Sequence, residues 1–144
     1  MLNLARNEPQ PRQVGAIAAE ENIPRKFLEA IMTELGRADL VVGSRGKYGG
    51  YRLARPADLI TFGAIMRVTD GPLALIACAS PNFYKRCDDC QDEAACALRS
   101  VMIEVRNEMS AILDRTSLAK AAEQPRTFPL DGLEPAQAEV QEAG

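Results

Sequence analysis

Residues 23–53 read IPRKFLEAIMTELGRADLVVGSRGKYGGYRL, and the change of character halfway along this stretch decides the fold. From Arg25 to about Ala38, Phe27, Leu28, Ile31 and Leu35 recur at helical spacing, which predicts a helix with these four residues on its core-facing side. From Leu40 to Leu53 the pattern turns strand-like. Val41, Val42, Tyr51 and Leu53 bracket Gly46, Gly49 and Gly50, so a β-hairpin with a glycine-rich turn is expected. Between Gly43 and Ala57 the only charged residues are Arg45, Lys47, Arg52 and Arg55, which makes the hairpin tip basic.

Upstream, Arg12 to Glu21 places Val14, Ile17 and Ala18 on one face of a short helix, and Asn22-Ile23-Pro24 breaks it. Pro24 suits the first turn of the helix that follows. Two short helices, a tight break and a basic hairpin make a winged helix-turn-helix, in which the second helix enters the DNA major groove and wing cations grip the backbone. Arg25 and Lys26 then face base edges or phosphates, Arg45, Lys47 and Arg52 suit phosphate contact, and Tyr48 suits packing on the sugar backbone. Glu29 is either an acceptor for cytosine N4 or an i, i+4 partner on the helix surface. The plain alternative for all of these is a solvated face of a small helical domain. Met1 to Arg6 reads as the last turns of a helix, which points to a start upstream of Met1.

Downstream, Thr61 offers an N-cap to a helix over Phe62–Asp70, closed by Gly71-Pro72, so the DNA-reading unit is expected over residues 1–72. Residues 73–97 form a loop holding every cysteine of the chain, Cys78, Cys87, Cys90 and Cys96, spaced C-x8-C-x2-C-x5-C. There is no histidine, which excludes His-dependent zinc sites and His bases, and no nucleophile is paired with a base, so no enzyme is expected. Four thiolates suffice for a [2Fe-2S] or [4Fe-4S] cluster. Zinc is the weaker alternative, because structural zinc commonly takes two C-x2-C knuckles and only one is present. A metal-free thiol switch is a further alternative. Cys96 falls at the start of a long helix, where the dipole favours thiolate, while Asp88, Asp89, Asp92 and Glu93 oppose that effect.

That helix is predicted from about Asp92, as its cap, to Leu118, within a dimerisation segment over 92–120. Leu98, Met102, Val105, Met109 and Ile112 recur at spacings of 4, 3, 4 and 3, flanked by Val101 and Leu113, as an a/d seam for a helix pair in a homodimer. Residues 121–144, rich in Pro, Glu, Ala and Gln, are expected to be a disordered acidic tail. The fold class is therefore mainly α, a winged helix-turn-helix plus a long C-terminal dimerisation helix.

Charge distribution agrees with DNA as a partner. The 144 residues carry a net charge of −3, yet residues 1–56 hold nine Lys/Arg against six Asp/Glu, and the tail from 121 holds one against five. No apolar run is long enough to span a membrane and no signal peptide opens the chain, so a cytoplasmic protein is expected. In a reducing compartment, clustered cysteines point to metal or redox chemistry.

The run from Ile23 to Leu73 resembles the IscR- and NsrR-like Rrf2 family of bacterial winged-helix regulators. The resemblance rests on Leu28-Glu29 in the second helix, the wing from Arg45 to Leu53 that fits RG-x-x-GGY-x-L, and Ile60-Thr61-Phe62 before the next helix, and it covers about residues 12–118. It implies a homodimer on a palindromic operator, a long C-terminal dimerisation helix and, in many members, an iron-sulfur cluster held by three cysteines before that helix. This chain departs in lacking most of the opening helix and in having four cysteines. Either all four are ligands, or three are and Cys87 or Cys90 is spare. The expected function is a homodimeric transcriptional regulator that senses iron-sulfur or redox status, with a small redox or metal-handling protein without DNA binding as the alternative. Gain or loss of the cluster would change the order of residues 78–96, shift the long helix and so reposition two recognition helices on half-sites one DNA turn apart.

Overall fold

Pro24, in an extended conformation with ψ 126°, stops one helix and starts the next. In the computed structural model, which describes residues 1–46 and 48–123, helices α1 (Leu2–Arg6), α2 (Val14–Glu20) and α3 (Arg25–Arg37) precede an antiparallel hairpin of β1 (Val41–Ser44) and β2 (Gly50–Leu53). Helices α4 (Phe62–Thr69), α5 (Ala97–Arg115) and α6 (Leu118–Ala122) follow. Val41 pairs with Leu53 and Ser44 with Gly50, as the alternation of strand formers around the glycines requires. Gly46 adopts φ 108° and Gly49 lies so close to the Ser44 carbonyl that a Cβ would stand 2.4 Å from it, so the wing tip needs glycine at both places. Arg12 bridges to Tyr51 by two backbone hydrogen bonds of 2.8 Å, which anchors the wing to the chain entering α2.

One core takes Leu4 from α1, Ile17 from α2, Leu28, Met32 and Leu35 from α3, Val41 and Leu53 from the wing, and Leu118 from α6, with Leu40 and Ile60 from the connections; α4 packs against it through half-buried Phe62, Ala64, Ile65 and Val68, and α5 stays outside it. The expected stripe on α3 needs one correction. Phe27 is 62% exposed and Met32, at 2%, takes the core position. Leu28, Met32 and Leu35 follow the i, i+4, i+7 line, which leaves Phe27 about a quarter-turn off the buried face and in the first turn, where no element covers it.

The long helix also differs from expectation. It begins at Ala97 with Cys96 as its N-cap, because Asp92 Oδ1 instead accepts the Ala94 N–H at 2.8 Å and closes a local turn. It ends at Arg115, since Thr116 to Leu118 leaves the helix to pair with residues 60–62: Phe62 N–H donates to the Thr116 carbonyl (3.0 Å) and Leu118 N–H to the Ile60 carbonyl (2.7 Å). Ala121 and Ala122 belong to α6 rather than to a tail. The rest of the expected tail, from 124, lies outside the described residues, as does Lys47.

Leu118 is fully buried at this junction. Leu118→Ala is expected to lower unfolding free energy by about 2–5 kcal/mol in urea titration, whereas Phe27→Ala is expected to change it by no more than about 0.5 kcal/mol.

Candidate DNA interface and thiol site

Helix α3 starts at Arg25 because Pro24 cannot continue the preceding turn, and this puts two cations in the first turn on the side away from the core. Arg25 and Lys26 are both exposed. Arg25 Nε donates to Glu29 Oε1 at 2.8 Å, so in the free protein Glu29 is an i, i+4 partner, one of the two roles its position allowed. Phe27, next in the chain after Lys26, is exposed as well, an apolar group that the periodicity had assigned to the core. Arg45 and Arg52 are exposed on the wing, and Tyr48 at its tip is 84% exposed.

The thiols lie in the loop that joins α4 to α5. Cys78 sits in a 3-10 turn over Ala77–Ala79 and is only 5% exposed. Two arginines of α5, seven residues apart on one face, bind consecutive carbonyls of that turn: Arg99 Nε donates to Cys78 (3.0 Å) and Arg106 Nη1 to Ala79. These contacts leave no mark in the sequence beyond two arginines at helical spacing. Beyond Ser80 the loop folds back on itself. Phe83 N–H donates to Ser80 Oγ (3.1 Å), Lys85 N–H to the Ala77 carbonyl (3.4 Å), and Arg86 Nη2 to the carbonyls of Cys90 (2.9 Å) and Gln91 (3.3 Å). The fold-back brings Cys87 Sγ to 3.8 Å from Cys78 Sγ. Cys96 Sγ accepts the Arg99 N–H at 3.5 Å, so the thiol itself caps α5.

All four cysteines are free. The hydrogen bond to Cys78, and then the charge of Cys78, raise the Cys87 pKa; desolvation, and then the charge of Cys96, raise that of Cys90. The structure thus brings Cys78 and Cys87 together. Among the described residues no group of three or more His, Cys, Asp or Glu is placed so that it could hold a metal ion. The donor chemistry fits a thiolate-ligated metal or cluster. The 3.8 Å separation also matches two thiolates on one tetrahedral ion, since metal–sulfur bonds of about 2.3 Å place their sulfurs about 3.8 Å apart.

Helix α5 connects the thiols to the DNA-reading unit. Its far end is tied to α4 by Arg67 and Asp114, paired through two hydrogen bonds of 2.6 and 2.9 Å, and the guanidinium holds the Asp114 carboxyl below its ordinary range. None of the residues of α5 is buried, although Leu98, Val101, Val105 and Ile112 are large and apolar. Val101, Val105, Met109, Ile112 and Leu113 line one apolar groove, with Glu104 and Glu108 at its margin. Met102 and Met109 of the expected seam are half-buried. Among the described residues no helix is long and apolar enough to cross a membrane.

A helix-turn-helix followed by a two-stranded wing and an extended helix defines a winged-helix transcriptional regulator, a class without catalytic activity. Residues 1–124 match the Rrf2 profile, described as an iron-dependent transcriptional regulator, and the chain belongs to that family. It is 37% identical over 113 residues to the rrf2-like HTH-type transcriptional regulator of Rhodobacter capsulatus, covering 78% of this chain and 75% of that one. The structure of CymR, the global cysteine regulator of B. subtilis, aligns with a TM-score of 0.68 at 32% identity over 84% of this chain and 85% of that one. IscR of T. potens aligns with a TM-score of 0.62 at 26% identity, over 88% and 84% respectively.

The raised thiol pKa values carry a direct expectation. In metal-free protein, alkylation of Cys87 and Cys90 by iodoacetamide should reach half its maximal rate at a higher pH than alkylation of free cysteine, because only the thiolate reacts. Peptide-resolved mass spectrometry across a pH series measures this, and a profile at or below that of free cysteine would contradict it.

Proposed function

We propose that this chain is a cytoplasmic, homodimeric DNA-binding regulator whose segment from Cys78 to Cys96 holds an iron-sulfur cluster. The observation that carries the reading is the set of four free thiols in the segment that leads into a long, unburied helix, two of them 3.8 Å apart, in a winged-helix chain of an iron-dependent regulator family. Cys78, Cys87, Cys90 and Cys96 would hold the cluster, which supplies a redox- and iron-responsive group. The close Cys78–Cys87 pair supports two thiolates on one iron, the arrangement of a [2Fe-2S] cluster, and the same spacing suits the weaker alternative, zinc. Because Cys87 and Cys90 keep their protons to higher pH than ordinary thiols, a metal must displace those protons, and the hold on it weakens as pH falls.

The apolar groove on α5 supports pairing with a second copy, with Leu98, Met102, Val105, Met109 and Ile112 as the seam. Two copies related by a two-fold axis would read a palindromic operator. Arg25 and Lys26 approach bases or phosphates in the major groove, and Arg45, Lys47 and Arg52 hold the backbone beside Tyr48. Phe27 adds an apolar contact suited to a thymine methyl, and Glu29 is freed to accept from cytosine N4 when Arg25 turns to phosphate.

Two measurements test the reading. Operator affinity should fall steeply with salt, and Arg45→Ala should lower the slope of log affinity against log salt by about 1 for each phosphate contact removed, while a slope unchanged by removal of the wing cation would sink the assigned contact. Anaerobically purified protein should contain iron and acid-labile sulfide and show visible absorption, all lost in Cys78→Ser. Colourless, iron-free protein would exclude the cluster, and zinc in its place would select the alternative.

A further inference from the structure

We propose that Cys78 and Cys87 form a reversible disulfide when the site carries no metal, and that this bond prevents the site from being loaded. The inference concerns the same thiols as the proposed cluster but rests on their contact, whichever metal the site takes.

Three observations select this pair. The two sulfurs lie 3.8 Å apart, so about 1.8 Å of approach completes a disulfide bond. The fold-back that creates the contact is built from backbone and side-chain hydrogen bonds, Phe83 N–H to Ser80 Oγ and Lys85 N–H to the Ala77 carbonyl, so it does not depend on a bound ion. The pair is also asymmetric in access. Cys87 is exposed on the loop, whereas Cys78 is buried and its own carbonyl is held by Arg99. The exposed thiol meets an oxidant first, and the buried thiol is fixed where it can resolve the product.

The chemistry balances with a peroxide as oxidant. The Cys87 thiol gives up its proton, the thiolate attacks one oxygen of hydrogen peroxide, the O–O bond breaks, and Cys87 becomes a sulfenic acid as the departing hydroxide takes that proton and leaves as water. The Cys78 sulfur then attacks the Cys87 sulfur, the S–O bond breaks, and a second water leaves with the Cys78 proton. Two thiols are oxidised by two electrons in all, and one peroxide is reduced to two waters. A dithiol reductant reverses the reaction by thiol exchange. The disulfide removes two of the four donors and leaves Cys90 and Cys96, fewer thiolates than a cluster requires.

The rival outcome is a bond between Cys87 and Cys90, whose two-residue spacing is the familiar one for redox thiols. Trypsin separates the alternatives, because cleavage after Lys85 and Arg86 puts Cys78 in the peptide Val68–Lys85 and the other three cysteines in Cys87–Arg99. The test uses the full chain, freed of metal by a chelator, verified by metal analysis, and treated with hydrogen peroxide before free thiols are blocked with N-ethylmaleimide. The two peptides should be joined in the unsubstituted protein and in Cys90→Ser and Cys96→Ser, separate in Cys87→Ser, and separate again after dithiothreitol. The oxidised protein should take up iron and sulfide only after that reduction, and the uptake arm alone fails if the cluster assignment is wrong. A Cys87–Cys90 bond within one peptide, a join that survives Cys87→Ser, or a bond between two copies would overturn the pairing. Exposed Cys87 is the substituted partner because its loss leaves the core intact.

Discussion

Two backbone hydrogen bonds join residues 60–62 to residues 116–118 and determine how the rest of the molecule is arranged. Ile60 and Leu118 are fully buried at this crossing, in the same core as the recognition helix and the wing. The end of α5 is therefore continuous with the DNA-reading unit. The Arg67–Asp114 pair adds a second tie one turn earlier, where a Cβ on Gly63 would stand 1.9 Å from Asp114 Oδ1. An exposed ion pair of this kind contributes little stability by itself, since solvent screens it. Its use is directional: with Gly63 leaving room, the carboxylate fixes where α5 departs from α4.

The opposite end of α5 is held by different forces. Arg99 and Arg106 bind two carbonyls of a buried 3-10 turn, and the sulfur of Cys96 caps the first turn. Guanidinium groups suit this work because they keep their charge at any physiological pH and offer several donors in a fixed fork. The outer loop is exposed from Pro81 to Asp89, Phe83 and Tyr84 included, so little apolar burial fixes its position. Cys78 belongs to the helix, in effect, and Cys87 to the loop. Their contact joins the best-held part of the segment to its least covered part.

Much of this was legible in the sequence. The break at Pro24, the glycines of the wing and the N-cap at Thr61, whose side chain accepts the Ala64 N–H, are local signals that local geometry obeys. The errors arise where a choice depends on distant neighbours. Phe27 and Met32 are both apolar and both near the stripe, and the packing of α2, α4 and β1 on α3 decides which is covered. Asp92 is as good a cap as Cys96 by composition, yet the loop uses its carboxylate for a local turn. The approach of Cys87 to Cys78, rather than to Cys90, follows from a fold-back that no spacing rule contains. The arginines that hold the 3-10 turn were hidden for the same reason, since their partners are backbone carbonyls 21 and 27 residues away and backbone carbonyls are invisible in a sequence.

Helix α5 runs 19 residues, about 28 Å at the usual rise, between a fixed end at Asp114 and the thiols at Cys96. Pinned at one end and pushed at the other, it has the proportions of a lever arm. A tilt of about 5° about the crossing carries the thiol end through about 2.5 Å, roughly half a helical turn's pitch. With α5 as a rigid rod, a displacement of ångström size at the sulfurs would turn its anchored end by only a few degrees. In a two-fold pair that rotation would be applied twice with opposite sense, so the quantity altered is the separation and mutual angle of the two reading heads rather than the fit of either one.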